Sequence, residues 1–298
     1  MRQAKALLLA VLAAAVLGAG PVSASGGKGG SGQPEARAVE SYKGFLAKLD
    51  PTDPTTISLA AREYRRLFGA KDDTVSQDQA FEDWVRYYMT TVYHGNQSFG
   101  QGAHPDLWGD PATLKANGIQ RLSQDGKPYL FWDASYVLDR FRPYISPMER
   151  DFWTRRGDEI RQGFTKDGRL AIPWDDLRRR IVGWEKYLDD YAVTPYEDEV
   201  DGLIQDYMTV YVHGKADVAS DSLTASKPYP LPAGARESYE KFVKEDKKSQ
   251  YWGLMKDYLA FLEKRRFMMD DKANKAFFDR EQARQDSPGQ DGGQAPAR

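Results

Sequence analysis

The chain contains one phrase twice, as YYMTTVYHG from Tyr87 to Gly95 and as DYMTVYVHG from Asp206 to Gly214. In the longer stretch QAFEDWVRYYMTTVYH, which starts at Gln79, apolar residues recur at steps of three and four. The residues that lead to the second copy repeat this spacing. Such spacing is typical of the buried face of an α-helix. The phrase therefore predicts two helices of one kind and an all-α fold.

The repeated phrase belongs to a longer order of features that recurs along the chain. ESYKGF from Glu40 matches ESYEKF from Glu237, and LAAREYRRLF from Leu59 matches LAFLEKRRFM from Leu259. LRRRIVGWEKYL, from Leu177, is a looser version of the second motif. We expect three degenerate units that pack as an irregular α-solenoid or an orthogonal helix bundle, with long loops. The expected units span about 39–134, 135–235 and 236–284.

The chain offers few positions for strands. Alternation of apolar and polar residues over several positions, which is typical of a half-buried strand, is not sustained in any segment. Residues Tyr129 to Trp132, YLFW, are the best place for a short extended piece. Within the second unit, the segment from Ser146 to Asp167 reads as an additional helix.

The first residues have the pattern of a secretory signal. Arg2 and Lys5 form a basic start, residues 6–20 are uncharged and apolar, and small residues precede a cleavage position after Ala24. We therefore expect an exported protein, periplasmic or secreted, from which residues 1–24 are removed. Later segments do not reach the ~20 apolar residues of a membrane helix, so we expect no membrane insertion after cleavage.

Two stretches are too polar to contribute to a core. Residues 25–38 and 285–298 are rich in Gly, Pro and Gln and poor in large apolar residues, so we expect them to be disordered. The all-α repeat domain then spans 39–284. The sequence contains no cysteine, which excludes disulfides and thiolate metal sites. A net charge of −2 argues against nucleic acid as a partner.

Two of the three histidines end the repeated phrase. The glycine after each stands where a helix commonly stops in the left-handed conformation, and His94 or His213 in the final turn favours the negative end of the helix dipole. We expect two helix ends there, with neither metal nor cofactor. In the alternative, His94 and His213 converge with His104 and Asp106 on a metal ion. The sequence has no HExxH or comparable helical ligand pair to support that alternative.

Each expected unit carries two adjacent aspartates after its second helix, at Asp72–Asp73, Asp189–Asp190 and Asp270–Asp271. Aspartate is a preferred residue at the start of a helix, where its charge faces the positive end of the dipole. We therefore expect helix caps. The alternative is a ridge that binds calcium, but the pairs lack the spaced oxygens and the glycine of a calcium loop.

The connection between residues 96 and 133 is long for a compact domain, and such segments tend to be functional or disordered. It holds His104, Asp106 and Trp108 close together. Because a histidine and a carboxylate can act as base and orienter, and a tryptophan can stack on a sugar, a secreted hydrolase of cell-wall or other glycans is the alternative function. The chain lacks the G-x-S-x-G elbow and a cysteine nucleophile, which argues against an enzyme. Carboxylates that could lie beneath this loop are Glu82 and Asp83.

The second unit has a corresponding loop, 215–235, at the equivalent end of the equivalent helix. If the units pack in register, both loops emerge on one side, where insertions in repeat proteins often build a binding face. Both loops contain Lys-Pro-Tyr, and aromatic residues beside charge anchor protein interfaces. We therefore expect a non-enzymatic adaptor, chaperone, inhibitor or immunity-type protein that binds a protein partner, with a glycan as the second choice. The expected contact residues are Phe99, Trp108, Lys127, Tyr129, Lys227 and Tyr229.

The same tyrosines have a simpler interpretation. Tyr129 and Tyr229 could pack the two loops back onto their own helices, because a tyrosine ring buries a large apolar area while its hydroxyl finds a polar partner. The sequence leaves both interpretations open.

Overall fold

The computed structural model describes most of the chain between Gln33 and Gln285. The described residues are 33–69, 74–97, 104–124, 127–166, 169–213 and 228–285. Over these residues the chain is mostly helical with a few short strands, which confirms the all-α fold class. None of the described helices is long and apolar enough to cross a membrane. The expected signal over residues 1–24 lies outside the described part of the chain.

The described residues divide into two compact units, 33–162 and 163–285. This boundary falls inside the second of the three expected units. The elements of the first unit are α1 (Gln33–Leu46), α2 (Thr56–Phe68), α3 (Thr74–Gln97), α4 (Pro105–Gly109), α5 (Pro111–Ala116), β1 (Ile119–Gln124), β2 (Lys127–Trp132), α6 (Ala134–Phe141) and α7 (Pro147–Gln162).

Helix α3 is the centre of the first unit, with α1, α2 and β2 packed against it. Its buried face includes Phe81, Trp84, Tyr88 and Val92, as the apolar spacing predicts. The Trp84 ring lies 4.3 Å from the ring of Phe141 in α6, measured between centroids. Large aromatic rings thus fill the space between helices, and each contributes more buried area than an aliphatic side chain would.

Helix α1 begins earlier than the sequence indicates. Its first residue is Gln33, so residues 33–38 are helical and the expected linker over 25–38 is shorter at this end. Farther along α1, Tyr42 is fully buried and donates its hydroxyl to the carbonyl oxygen of Ala60, 3.0 Å away in α2. Because this packing anchors the helix, its polar first turns extend it without having to build a core themselves.

The connection between α3 and α6 contains a β-hairpin. Strands β1 and β2 are antiparallel, with Ile119 opposite Trp132 and Leu122 opposite Tyr129. The extended conformation expected for residues 129–132 is therefore confirmed, but its pairing with β1 was not predicted. Two short helices, α4 and α5, precede the hairpin, and Asp110 caps α5 by accepting from the amide of Thr113 at 2.9 Å.

The second unit packs its helices around another set of aromatic rings. Helix α8 packs against α9 and α10, and α10 packs against α11. Tyr239 is fully buried and donates its hydroxyl to the carbonyl of Tyr211 at 2.6 Å. The elements of this unit are β3 (Thr165–Lys166), β4 (Arg169–Leu170), α8 (Trp174–Asp190), α9 (Glu197–His213), β5 (Tyr229–Pro230), α10 (Ala235–Glu245), α11 (Trp252–Lys264), β6 (Met268–Met269) and α12 (Asp271–Gln285).

The repeated phrase has the same structural role in both units, but a second sequence match does not. Residues 87–94 lie in the last turns of α3 and residues 206–213 in those of α9, and burial follows the same order in both apart from exposed Tyr93. In the match between α2 and α11, however, buried Tyr64 corresponds to exposed Lys264, and buried Ala60 to an exposed alanine. These two helices therefore bury different faces. The residues that are matched in sequence do not occupy equivalent structural positions.

The aspartate pairs also differ from one another. Asp270 accepts from the amide of Ala273 at 3.0 Å and caps α12, as expected. Asp189 and Asp190 are instead the last residues of α8, so the expected cap is wrong for this pair. There Asp190 pairs with Lys186 one turn earlier, at 2.8 Å. The pair at residues 72 and 73 lies outside the described residues.

Candidate functional site

The end of α3 is not the helix stop that the His-Gly pair indicates. Helix α3 continues through Gly95 to Gln97, and Gly95 is buried. The ring of Trp108 lies directly on Gly95, in space that the Cβ of any other residue would occupy. The glycine is therefore needed for close packing rather than for a left-handed backbone. In the second copy, the glycine at position 214 lies outside the described residues.

Trp108 is a core residue, so its expected place on an exposed binding face is wrong. Its side chain is 1% exposed, and its indole Nε1 donates to the carbonyl of Thr52 at 2.8 Å. A ring enclosed in this way cannot stack on a sugar or enter a partner's pocket. Trp108 instead fixes α4 against the end of α3 and against the loop between α1 and α2.

Asn96 fixes the hairpin on α3. Its side-chain Nδ2 donates to the carbonyl of Leu130 at 2.8 Å, and the amide of Leu130 donates to Asn96 Oδ1 at 2.7 Å. The side-chain amide thus pairs with the outer edge of β2 as a neighbouring strand would. Since the buried ring of Trp132 and the buried side chain of Leu130 also face inward, the hairpin has one defined orientation on the helix.

The outer face of the hairpin is apolar and partly exposed. Side chains alternate along a strand, so Tyr129 and Phe131 take the positions that alternate with the buried Leu130 and Trp132. The ring of Phe131 also stacks on that of Trp132, with 4.8 Å between centroids. Leu122, across from Tyr129, lies on the outer face too, and all three are partly exposed. The Tyr129 and Phe131 rings are 6.4 Å apart and nearly perpendicular. Together these three residues are called the hairpin face.

The alternative catalytic residues do not meet in the expected way. His104 contacts Asp50 across 3.5 Å, and both side chains are largely exposed. In the described part of the chain, no hydrogen bond joins His104 to Asp106. Trp108 contacts Gly95. The distance from Glu82 to Gly95 along α3 is about 20 Å at 1.5 Å per residue. The expected place of Glu82 and Asp83 beneath the loop is therefore wrong.

Glu82 nevertheless has an unusual environment. Burial, followed by the charge of Asp78, raises its pKa to about 7, although the nearby charge of Arg86 acts to lower it. Burial also raises the pKa of Asp78 and of Asp83. These three carboxyl groups lower the stability of the fold at high pH, because a buried carboxylate is less well solvated than the same carboxylate in the unfolded chain.

The histidines at the ends of the repeated phrase lie in separate units, His94 in α3 and His213 in α9. The ring of His213 packs against that of Phe278 in α12, with 5.0 Å between centroids. Among the described residues, no group of three or more His, Asp or Glu side chains is arranged to hold a metal ion. His94 lies in the last turn of α3, three residues before its end, and His213 is the last residue of α9.

The Lys-Pro-Tyr motifs are only partly described. Tyr229 is half-buried and donates its hydroxyl to Asp271 Oδ1 at 2.8 Å, which ties β5 to the start of α12. Burial, followed by this hydrogen bond and the nearby aspartate charges, raises the pKa of Tyr229 to about 12. The contact supports the simpler interpretation of Tyr229, in which it packs its loop onto the helices. Lys127 lies in β2, while Phe99 and Lys227 lie outside the described residues.

The sequence did not indicate a role in this region for two residues, Asn96 and Phe131. No sequence pattern indicates that the side-chain amide of a polar residue near the end of a helix will form hydrogen bonds with a strand. The hairpin itself did have a signal, since Asp125-Gly126 separates two short runs that can form strands, a typical hairpin pattern. Recognising it would have placed Phe131 beside Tyr129 on one face.

Comparison with other proteins provides no further guide to the site. No protein-family model matches the chain, and neither a curated protein nor a solved structure shows significant similarity to it.

Proposed function

We propose that this protein is an exported, non-enzymatic protein that binds another protein through the hairpin face, as an adaptor, chaperone, inhibitor or immunity-type protein. One observation carries the proposal. Leu122, Tyr129 and Phe131 are partly exposed, and they alternate along an antiparallel pair with Leu130 and Trp132, which are buried. Tyrosine and other aromatic residues are the side chains that most often anchor protein interfaces.

The rigidity of the hairpin supports this role. A flexible loop must lose conformational entropy when it binds, and that loss lowers its affinity. Here the two hydrogen bonds between Asn96 and Leu130 hold the strand before any partner arrives. Trp108, packed on Gly95, holds the preceding segment in the same region. The aromatic side chains are therefore presented in one orientation.

The finer architecture and the compartment belong to the same proposal. The shared order of burial at the ends of α3 and α9 supports a duplicated building block, within a fold of degenerate helical repeats. The basic, apolar and small-residue pattern over residues 1–24 supports export to a periplasm or to the exterior. An exported binding protein without cysteine depends on its packed core for stability.

Affinity capture with matched variants tests the proposal. The purified protein would be used to capture partners from the periplasmic and secreted fractions of cells that produce it, together with Tyr129→Ser and Phe131→Ser. Val75→Ser is the control, because Val75 is 76% exposed and lies about 30 Å from Asn96 along α3 at 1.5 Å per residue. We expect one partner to be lost from both hairpin variants and retained by the control. Retention of every partner by the folded hairpin variants would remove the hairpin face from the interface.

A further inference from the structure

The connection between α10 and α11 carries exposed lysines without acidic partners. Lys244 lies in the last turn of α10, Lys247 and Lys248 lie in the connecting turn, and Lys256 lies in the second turn of α11. All four residues are exposed. In the part of the chain that the structure describes, no ion pair joins any of them to a carboxylate. These four lysines and Trp252 are called the lysine corner.

The acidic residues of the same turn are held against α8. Arg178 of α8 is 8% exposed, and it contacts Asp246 at 2.6 Å and Glu245 at 3.4 Å through Nη1. Glu185 of α8 accepts hydrogen bonds from the Ser249 hydroxyl and from the next backbone amide, both at 3.0 Å. These contacts fix the conformation of the turn. They also engage its two carboxylates, while the lysines are left in solvent.

Trp252 is the only tryptophan of the protein that is not buried. Of the seven tryptophans, six are buried, whereas Trp252 is partly exposed. Its indole Nε1 donates to the carbonyl of Val243 at 2.9 Å, which holds the ring beside the last turn of α10, where Lys244 lies. From the other helix, Lys256 Nζ lies 5.1 Å from the centre of the ring. A partly exposed aromatic ring therefore lies between lysines of both helices.

We propose that the lysine corner docks the protein on a membrane surface that carries anionic lipid headgroups. Clusters of about four or more basic side chains are attracted to such a surface. Tryptophan is enriched at the level of the headgroups, because its ring is apolar on its faces and polar at its N–H. A lysine is a point charge on a flexible stem, which suits headgroups that diffuse in the plane of the membrane.

The composition of the lysine corner favours a membrane over other anionic partners. Interfaces between proteins are depleted in lysine and enriched in arginine, and sites for a single phosphate group often use the planar fork of arginine. The only arginine at this turn, Arg178, is engaged by carboxylates. Sites for small ligands and sugars are concave, whereas a Cβ at Gly253, beside Trp252, would meet open space.

The proposal is independent of the hairpin face. The lysine corner lies in the second compact unit and the hairpin in the first, and the two surfaces share no residue. Loss of one binding activity would therefore leave the other in place.

Co-sedimentation with lipid vesicles tests the proposal. Binding of the purified protein to vesicles of phosphatidylcholine and phosphatidylglycerol, in a two-to-one ratio, would be compared with binding to phosphatidylcholine alone. Because the apolar residues 6–20 can bind any vesicle, the quantity of interest is the ratio of the two affinities. We expect at least tenfold tighter binding to the anionic vesicles. This preference should disappear at 1 M salt, where the Debye length falls to about 3 Å.

Charge-matched variants locate the binding surface. Lys247→Gln combined with Lys248→Gln should weaken binding to the anionic vesicles about 25-fold, because each lysine near an anionic surface contributes about fivefold. Lys264→Gln combined with Lys272→Gln is the control. It removes the same charge from two lysines that are also exposed, at the far end of α11 and at the start of α12. We expect the control to change the affinity less than twofold.

Fluorescence of Trp252 gives a second readout. Vesicles whose acyl chains carry bromine quench tryptophans that lie at the membrane surface. We expect quenching in the original protein and its loss in Trp252→Phe, because the other six tryptophans are buried. The proposal is overturned if both kinds of vesicle bind equally, if the control variant weakens binding as much as the corner variant, or if quenching persists in Trp252→Phe. Soluble polyaspartate that binds as tightly as the anionic vesicles would indicate an acidic protein instead, and would overturn it too.

Discussion

Gly95 shows how a single residue decides the packing at the end of α3. The Trp108 ring occupies the position of its missing side chain, so we expect Gly95→Ala to displace the tryptophan and to lower the free energy of unfolding by about 1–3 kcal/mol. Urea unfolding followed by tryptophan fluorescence measures the change. Gly44→Ala is the control, because the space around Gly44 in α1 is open. That substitution should raise stability by about 0.5–1 kcal/mol.

A single residue, Glu82, makes the free energy of unfolding depend on pH. It ionises near its ordinary pKa of 4.5 in the unfolded chain but near pH 7 in the folded protein. Between these values the unfolded chain has lost the proton that the folded protein keeps. The contribution of Glu82 to stability therefore falls as the pH rises from about 4.5 to about 7, and it is constant above that window.

Glu82→Gln should remove this dependence. We expect the variant to be more stable than the original protein at pH 8 by about 1 kcal/mol, a value reduced for partial exposure to solvent, and equally stable at pH 4. Glu63→Gln should act in the opposite direction above pH 5, because the hydrogen bond from Arg66 lowers the pKa of Glu63. Urea unfolding at several pH values measures both. A constant difference between Glu82→Gln and the original protein at all pH values would contradict the assignment.

At the scale of elements, the hairpin depends on Asn96. Asn96→Ala removes both hydrogen bonds to the backbone of Leu130 and leaves that edge of β2 unsatisfied. We expect a loss of about 1–3 kcal/mol in the free energy of unfolding. Amide hydrogen exchange should show faster exchange at Leu130, while the amides in the middle of α2 are unchanged. Exchange at Leu130 that stays as slow as in the original protein would show that packing alone holds the strand.

The turn between α11 and β6 is strained. Arg266 and Phe267 are consecutive residues with positive φ, 54° and 56°, a conformation that costs a residue other than glycine of the order of 1 kcal/mol. Arg266→Gly should therefore raise stability by about 0.5–1 kcal/mol in thermal or urea unfolding. Arg265→Gly is the contrast, because Arg265 has φ of −96° and pairs with Asp270. It should lower stability, and a decrease in both variants would show that the turn is not strained.

The elements that the sequence predicted best are those with many apolar residues at helical spacing. The core face of α3 from Phe81 to Val92 and that of α9 from Val200 to Tyr211 follow from periodicity, because burial of a long stripe outweighs local preferences. The match at Leu59 and Leu259 failed, because short motifs with charged residues say little about which face will be buried. Likewise, the contact between Gly95 and Trp108 joins distant parts of the chain and leaves no local pattern.

At the scale of the whole molecule, composition and periodicity predicted the all-α fold class. The two compact units meet at residues 162 and 163, inside an expected repeat, because α6 belongs with the first unit through contacts such as that of Phe141 with Trp84. The candidate site was predicted only in part. Tyr129 lies on the hairpin face, whereas Trp108 is in the core, since a large ring in a loop can turn inward as readily as outward.

The proposal that the hairpin face binds a protein has a direct test. A photo-reactive phenylalanine analogue would replace Phe131, Tyr129 or Val75 in the full chain, and cells producing each protein would be irradiated. We predict that one protein becomes cross-linked at positions 131 and 129 and is absent at position 75. Cross-links at position 75 alone, or the same products at all three positions, would contradict a binding role for the hairpin face.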